Sequence, residues 1–123
     1  MAKILLIEDE APVREMLIDE LTVQGYKVIE ATTGEEGLEK FLENEPDLVV
    51  CDRAMPGMSG YEVLERIRGA HPQYEDIPFI FLTALTDPRD KAAVEHLKPS
   101  AYIEKPVDFA ALADKIKGLI SNG

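Results

Sequence analysis

The chain has 123 residues, 46% of them hydrophobic, and its 13 Lys/Arg against 24 Asp/Glu give a formal net charge of −11. That length suits one domain over residues 1–123 with a sizeable core, whereas so acidic a surface is repelled by phosphate backbones and anionic lipid, so neither nucleic-acid nor membrane binding is expected. No apolar run approaches a membrane span, and Met1-Ala2-Lys3 leads into a strand rather than a signal peptide, which predicts a cytoplasmic protein.

The acidic excess is unevenly spread. Residues 1–62 hold 5 basic and 15 acidic side chains, net −10, and residues 63–123 hold 8 and 9, net −1. The nearly neutral half is therefore the better surface for a protein contact. The single cysteine, Cys51, has no internal partner and reads as a small buried strand residue.

In chain order the pattern alternates between strand and helix periods. Ile4-Leu5-Leu6-Ile7 reads as a buried strand ending in Glu8-Asp9-Glu10. Pro12 then suits a first helical turn, Val13, Met16, Leu17 and Leu21 share a helical face, and Gly25 stops the helix. Tyr26 to Ala31 forms a more polar strand, placed at an edge by Lys27 and Glu30. Thr33-Gly34-Glu35-Glu36 is a capping box for a helix buried through Leu38, Phe41 and Leu42. Leu48-Val49-Val50-Cys51 is a strand buried on both faces that ends on Asp52 and is broken by Pro56, Gly57 and Gly60.

Ser59 and Glu62 open a third helix, packed by Val63, Leu64 and Ile67, and Ile77 to Leu82 make a fourth strand that stops at Thr83. A short helix with a thin apolar face is predicted from about Pro88 to Leu97, its end marked by Pro99. Ala101 to Glu104 form a fifth strand, followed by Lys105-Pro106. Asp108 then caps a final helix buried by Phe109, Leu112, Ile116, Leu119 and Ile120. Strict alternation with short connections implies right-handed crossovers and a parallel sheet with helices on both faces.

The carboxyl ends of these strands deliver Glu8 and Asp9, Asp52, Thr83 and Lys105 to one rim, where open α/β sheets bind ligands. Taken singly, each has an ordinary reading as a turn, strand-end or surface residue; together they point to chemistry. Carboxylates about 4 Å apart repel by roughly 4 kcal/mol per pair at an effective dielectric near 20, so three of them call for a cation. All-oxygen ligands suit a hard divalent ion such as Mg²⁺. Thr83 and Lys105 add a hydroxyl and a positive charge suited to a transferring phosphoryl group, and Asp52 is the candidate nucleophile. His71 and His96 are isolated and away from strand ends, so they read as surface residues.

Over essentially its whole length the chain resembles the receiver domains of bacterial two-component response regulators. The likeness rests on Glu8-Asp9, on Asp52-x-x-Met55-Pro56-x-Met58-Ser59-Gly60, on Thr83-Ala84 and on Tyr102-x-x-Lys105-Pro106. It implies a flavodoxin-like doubly wound α/β fold with strand order 2-1-3-4-5. It also implies that Asp52 accepts a phosphoryl group from a sensor histidine kinase or a histidine phosphotransfer protein. On the same resemblance, Asp9, Asp52 and the backbone carbonyl of Ala54 ligate Mg²⁺, Glu8 acts largely through water, Lys105 and Thr83 bind the phosphoryl oxygens, and Thr83 with Tyr102 forms a switch.

The expected output is altered affinity for a downstream protein, at a face including Lys91, Glu95, Tyr102 and the neighbourhood of Lys115. Two features depart from the family pattern. Lys98-Pro99 precedes the fifth strand where many receivers have Gly-Ala, and Ala54 and Leu85 offer no side-chain group to orient a hydrolytic water. The resulting expectation is a stand-alone receiver that catalyses its own phosphorylation and dephosphorylation but serves as a switch. Competing readings are a phosphorelay shuttle, a flavodoxin-like cofactor binder, for which the acidic first loop is a poor phosphate cradle, and a haloacid-dehalogenase-type phosphatase, which would want a second aspartate where Ala54 stands.

Overall fold

A computed structural model of the chain describes residues 2–70, 72–84, 92 and 95–121. Five short apolar segments become strands: β1 (Lys3–Ile7), β2 (Lys27–Ala31), β3 (Leu48–Asp52), β4 (Phe79–Thr83) and β5 (Ala101–Glu104). They pair in parallel in the order β2-β1-β3-β4-β5, so the sequence reverses direction across the sheet between β1 and β3. Four α-helices lie among the described residues: α1 (Ala11–Val23), α2 (Gly34–Asn44), α3 (Gly60–Ala70) and α4 (Phe109–Ser121). Short 3₁₀ turns occupy Pro72–Tyr74 and Glu95–Leu97.

Because successive side chains point to opposite faces of a strand, each central strand feeds two cores. Leu5, Ile7, Val49, Cys51, Phe79 and Phe81 pack with Phe41 of α2 and with Val63, Leu64 and Ile67 of α3. Ile4, Leu6, Leu48, Val50, Ile80 and Leu82 face the other way, against Leu17 and Leu21 of α1 and Leu112 and Ile116 of α4. Double coverage explains why β3 and β4 are buried at every position, and why β2, at an edge, tolerates exposed Lys27 and Glu30.

Local chemistry sets the helix starts. Thr33 Oγ1 accepts the amide of Glu36 at 3.1 Å, while Glu36 Oε1 reaches back to the amide of Thr32 at 2.6 Å, one residue earlier than in the usual reciprocal box. Ser59 Oγ accepts the amide of Glu62 at 3.2 Å, and Asp108 Oδ1 that of Ala111 at 3.3 Å. Helix α1 has no side-chain cap and relies on the proline in its first turn.

Two expectations need correction. Strand β4 begins at Phe79 rather than Ile77, because Pro78 has no amide to give; its carbonyl nevertheless accepts from Val49 at 3.0 Å. Met16 is 43% exposed and Leu42 57% exposed, although helical periodicity puts both on apolar faces. Each sits at the margin of its helix: Met16 borders a cleft against Pro106 and Val107, and Leu42 a groove between α2 and the end of α3. A helix face is wider than the line along which it meets a flat sheet, so marginal apolar residues stay outside. The helix predicted from about Pro88 to Leu97 lies mostly outside the described residues, as do His71, Leu85 and Lys91; its last three residues form the second 3₁₀ turn.

The feature that ties the sheet to the site is the close approach of α3 to β3. Gly60 donates its amide to the carbonyl of Arg53 at 2.9 Å, and a Cβ at this position would collide with the carbonyl oxygen of Asp52 and stand 2.9 Å from Arg53 Cα. Only glycine lets the helix start this close to the backbone that carries Asp52. Gly60→Ala should therefore lower stability by about 1–3 kcal/mol, the usual cost of overpacking; a urea midpoint equal to wild type would show that the contact is not restrictive.

Candidate functional site

The ends of β1, β3, β4 and β5 form one rim. Register sets it: Ile7 lies beside Cys51, Asp52 beside Leu82, and Thr83 beside Glu104. Glu8 thus leaves β1 next to Asp52, and Lys105 leaves β5 next to Thr83. The Lys105 amide donates to the Thr83 carbonyl at 2.7 Å. Asp52 is 4% exposed and Thr83 is buried, which is unusual for polar residues and leaves their chemistry to their neighbours.

The ammonium of Lys105 stands in the middle of this rim. Its Nζ lies 2.8 Å from Glu8 Oε1, 3.0 Å from Glu10 Oε1 and 3.2 Å from Asp52 Oδ2. The other Asp52 oxygen, Oδ1, accepts the amide of Ala54 at 3.2 Å, so each oxygen of that carboxylate has its own donor. Glu8 is fully buried. Beyond the ion pair to Lys105, neither of its oxygens has a hydrogen-bond partner, and Asp9 Oδ1 is likewise shielded from solvent without one.

Protonation follows from this crowding. Burial, then the adjoining Asp52 carboxyl and its charge, raise the Glu8 carboxyl to about 8 against the opposing pull of Lys105. Burial works against the Lys105 ammonium, yet its hydrogen bonds to Glu8 and Glu10 and the charges of Asp52 and Glu8 outweigh that and hold it protonated above its ordinary range. Burial beside Asp52 and Glu8 also pushes the Cys51 thiol up, consistent with an inert core residue.

Oxygens of Glu8, Glu10 and Asp52 all lie within 4.8 Å of one another. An all-oxygen set with unpartnered buried oxygens suits a hard divalent cation such as Mg²⁺. Glu10 belongs to this group although the sequence marks it only as part of an acidic turn, whereas Asp9 is not among its members. The remaining predicted residues are spread from the rim outward. Ala54 is exposed in the loop after β3, and Tyr102 is half-buried on β5 with its ring stacked on Phe81 at 5.6 Å between centroids. Glu95 lies exposed on the 3₁₀ turn and Lys115 exposed on α4, while Lys91 is outside the described residues.

The family model for the response regulator receiver domain matches residues 4–117. The chain belongs to that family. Receiver domains of two-component systems accept a phosphoryl group on an aspartate, bind Mg²⁺ at an acidic pocket and work with a histidine kinase, so the cofactor-binder and dehalogenase readings are set aside.

Among similar proteins, the response regulator RR06 of Streptococcus pneumoniae is 41% identical over 95% of this chain and 52% of its own length. The chemotaxis protein CheY4 of Vibrio cholerae superposes with a TM-score of 0.91 at 29% identity, covering 97% of this chain and 98% of that one. The response regulator TrrA of Thermotoga maritima, solved in complex with Mg²⁺–BeF, has a TM-score of 0.84 at 37% identity, covering 97% and 99%. The receiver spans about half the length of the curated relatives it matches. No helix among the described residues is long and apolar enough to cross a membrane.

The Glu8 carboxyl has a measurable consequence. Between its ordinary value of 4.5 and about 8, the folded protein retains a proton that the unfolded chain has released, so stability falls as pH rises through this window. In EDTA-treated receiver, the unfolding free energy should drop more steeply between these pH values in wild type than in Glu8→Gln. Parallel pH profiles would contradict this assignment.

Proposed function

We propose that Asp52 accepts a phosphoryl group from a phosphohistidine on a sensor histidine kinase or histidine phosphotransfer protein, in a Mg²⁺-dependent reaction, and that this changes affinity for a downstream protein partner. The observation that carries the reading is the state of the Asp52 carboxylate. It is almost fully buried at the end of the central strand, yet polarised by Lys105 Nζ at 3.2 Å on one oxygen and by the Ala54 amide on the other. A carboxylate so placed is held in one orientation by two donors, which prepares it to act as a nucleophile.

In the proposed transfer an Asp52 oxygen forms the new P–O bond as the P–N bond of phosphohistidine breaks, its electron pair remaining on the imidazole nitrogen. Lys105 turns its ammonium from Asp52 toward the phosphoryl oxygens and neutralises charge there, and the hydroxyl of Thr83, whose backbone carbonyl accepts the Lys105 amide, donates to another. Mg²⁺, when bound, would supply positive charge to the phosphoryl oxygens. Glu8, Asp9, Asp52 and the Ala54 carbonyl are the residues expected to hold it, with Glu10 as a further acidic neighbour on the same rim.

Residues 1–123 act in this reading as one receiver unit in the cytoplasm. The net charge of −11 argues against contact between these residues and nucleic acid, even though several relatives are named transcriptional regulators. The partner face is assigned to Lys91, Glu95, Tyr102 and Lys115, on the less acidic half. Among the described residues, β5 pairs with β4 alone, so Tyr102 lies on an edge that a partner can reach.

Incubated with Mg²⁺ and acetyl phosphate, the wild-type receiver should gain the mass of one phosphoryl group, and Asp52→Asn should gain none. Equal labelling of the two by intact-mass spectrometry would defeat the assignment.

A further inference from the structure

Far from the phosphoacceptor rim, at the opposite end of the sheet, one side chain joins three separate stretches of chain. Arg68, in the last turn of α3, donates from Nη1 to the carbonyls of Tyr74 at 2.8 Å and Ile77 at 2.6 Å. From Nε it donates to the carbonyl of Leu97 at 2.8 Å, and from Nη2 to that of Lys98 at 3.0 Å. The first pair of carbonyls belongs to the lead-in to β4, the second to the lead-in to β5. A planar fork of fixed donors is the group suited to holding several carbonyls at set angles, and a lysine could not replace it.

The surroundings reinforce the clamp. Lys98 adopts a positive φ of 54°, a conformation that a non-glycine residue keeps only when its neighbours hold it there. Its ammonium pairs with Glu75 Oε1 at 2.7 Å, and Ser100 exchanges two hydrogen bonds with Phe79, its amide donating to the Phe79 carbonyl at 2.8 Å and its Oγ accepting the Phe79 amide at 3.0 Å. Leu97 packs against the core shared by α2 and α3. The charged groups facing Arg68 are Glu75 and Asp76, whose charges favour the guanidinium, and Lys98. Helix α3 that carries Arg68 begins at Gly60, against the Asp52 backbone, so one rigid rod runs from the phosphoacceptor to the clamp.

We propose that Arg68 is a positioning residue for the switch: by bolting residues 97–98 to α3 and to the lead-in of β4, it makes the start of β5 a fixed pivot and so sets the orientation of Tyr102, four residues beyond. This rests on the phosphoacceptor reading of Asp52 and extends it to the regulation of the same site. Thr83 and Tyr102 are linked through the pairing of β4 with β5, Phe81 beside Tyr102 and Thr83 beside Glu104, and a change at the Thr83 end is passed to Tyr102 as a defined rotation only if the start of β5 is held. Without the fork, β5 could drift at its start and Tyr102 would sample both environments whether or not Asp52 carries a phosphoryl group.

The test uses the whole chain labelled with 3-fluorotyrosine, the Tyr102 resonance being assigned with Tyr102→Phe. Fluorine spectra are recorded with and without Mg²⁺ and beryllofluoride for wild type, Arg68→Gln and Arg68→Lys. Asp52 labelling by acetyl phosphate should match wild type in both variants, while the loaded-minus-unloaded shift of Tyr102 should shrink at least two-fold in each. A clamp that served stability alone would lower the melting temperature and leave that shift unchanged, and an unchanged shift overturns the proposal.

Wild type supplies a second measurement that needs no variant. Amide exchange at Lys98 and Ser100 should be the same with and without beryllofluoride, and a ten-fold change there would show that the pivot moves and overturn the proposal. Failure of the wild type to take up label at Asp52 would instead remove the phosphoacceptor reading itself.

Discussion

One ammonium among three carboxylates organises this receiver. Lys105 Nζ lies within 3.2 Å of Glu8, Glu10 and Asp52, and without it these side chains would be a cluster of like charge in a largely buried rim. Everything that brings Lys105 there is a consequence of the sheet: β5 runs parallel beside β4, its last residue pairs with Thr83, and the next amide donates to the Thr83 carbonyl. The same cation has two uses. At rest it neutralises the rim, and in the proposed transfer it follows charge as charge appears on the phosphoryl oxygens. Burial also raises the Glu8 carboxyl to about 8, which eases its repulsion with Asp52.

The rest of the molecule holds that arrangement in place from two sides. Alternation along β1, β3 and β4 builds a core with α2 and α3 on one face and another with α1 and α4 on the other, so the strand ends cannot shift singly. Helix α3 does more than cover the sheet. At its start Gly60 touches the backbone of Asp52, and at its end Arg68 gathers the carbonyls that lead into β4 and β5. Phe81, on β4 between these ends, stacks with Tyr102 and meets Tyr61 of α3 edge to face at 4.9 Å, which links the strand that ends at Thr83 to the aromatic proposed to respond.

Much of this is legible in the amino-acid sequence because it rests on periodicity and on short-range chemistry. The apolar runs that end on Glu8, Asp52, Thr83 and Lys105 place all four at strand ends, and the caps at Thr33, Ser59 and Asp108 are where side-chain type and spacing put them. What periodicity misses is set by tertiary geometry. Met16 and Leu42 have the right spacing but lie beside the contact line. Glu10 looks like any third residue of an acidic turn until Lys105, 95 positions later in the chain, brings its ammonium to 3.0 Å from the still-exposed carboxylate. Arg68 is illegible for a stricter reason: its partners are backbone carbonyls, which every residue carries, so no pattern of side chains announces them.

In the proposed reading, Lys105 and a divalent cation compete for the same carboxylates. The most direct measurement is Mg²⁺ titration by calorimetry of wild type and Lys105→Met, paired with acetyl phosphate labelling of both. Removing the ammonium leaves the carboxylates without their resident cation, so Lys105→Met should bind Mg²⁺ more tightly while Asp52 is labelled much more slowly. Weaker or unchanged Mg²⁺ binding in the variant would contradict it.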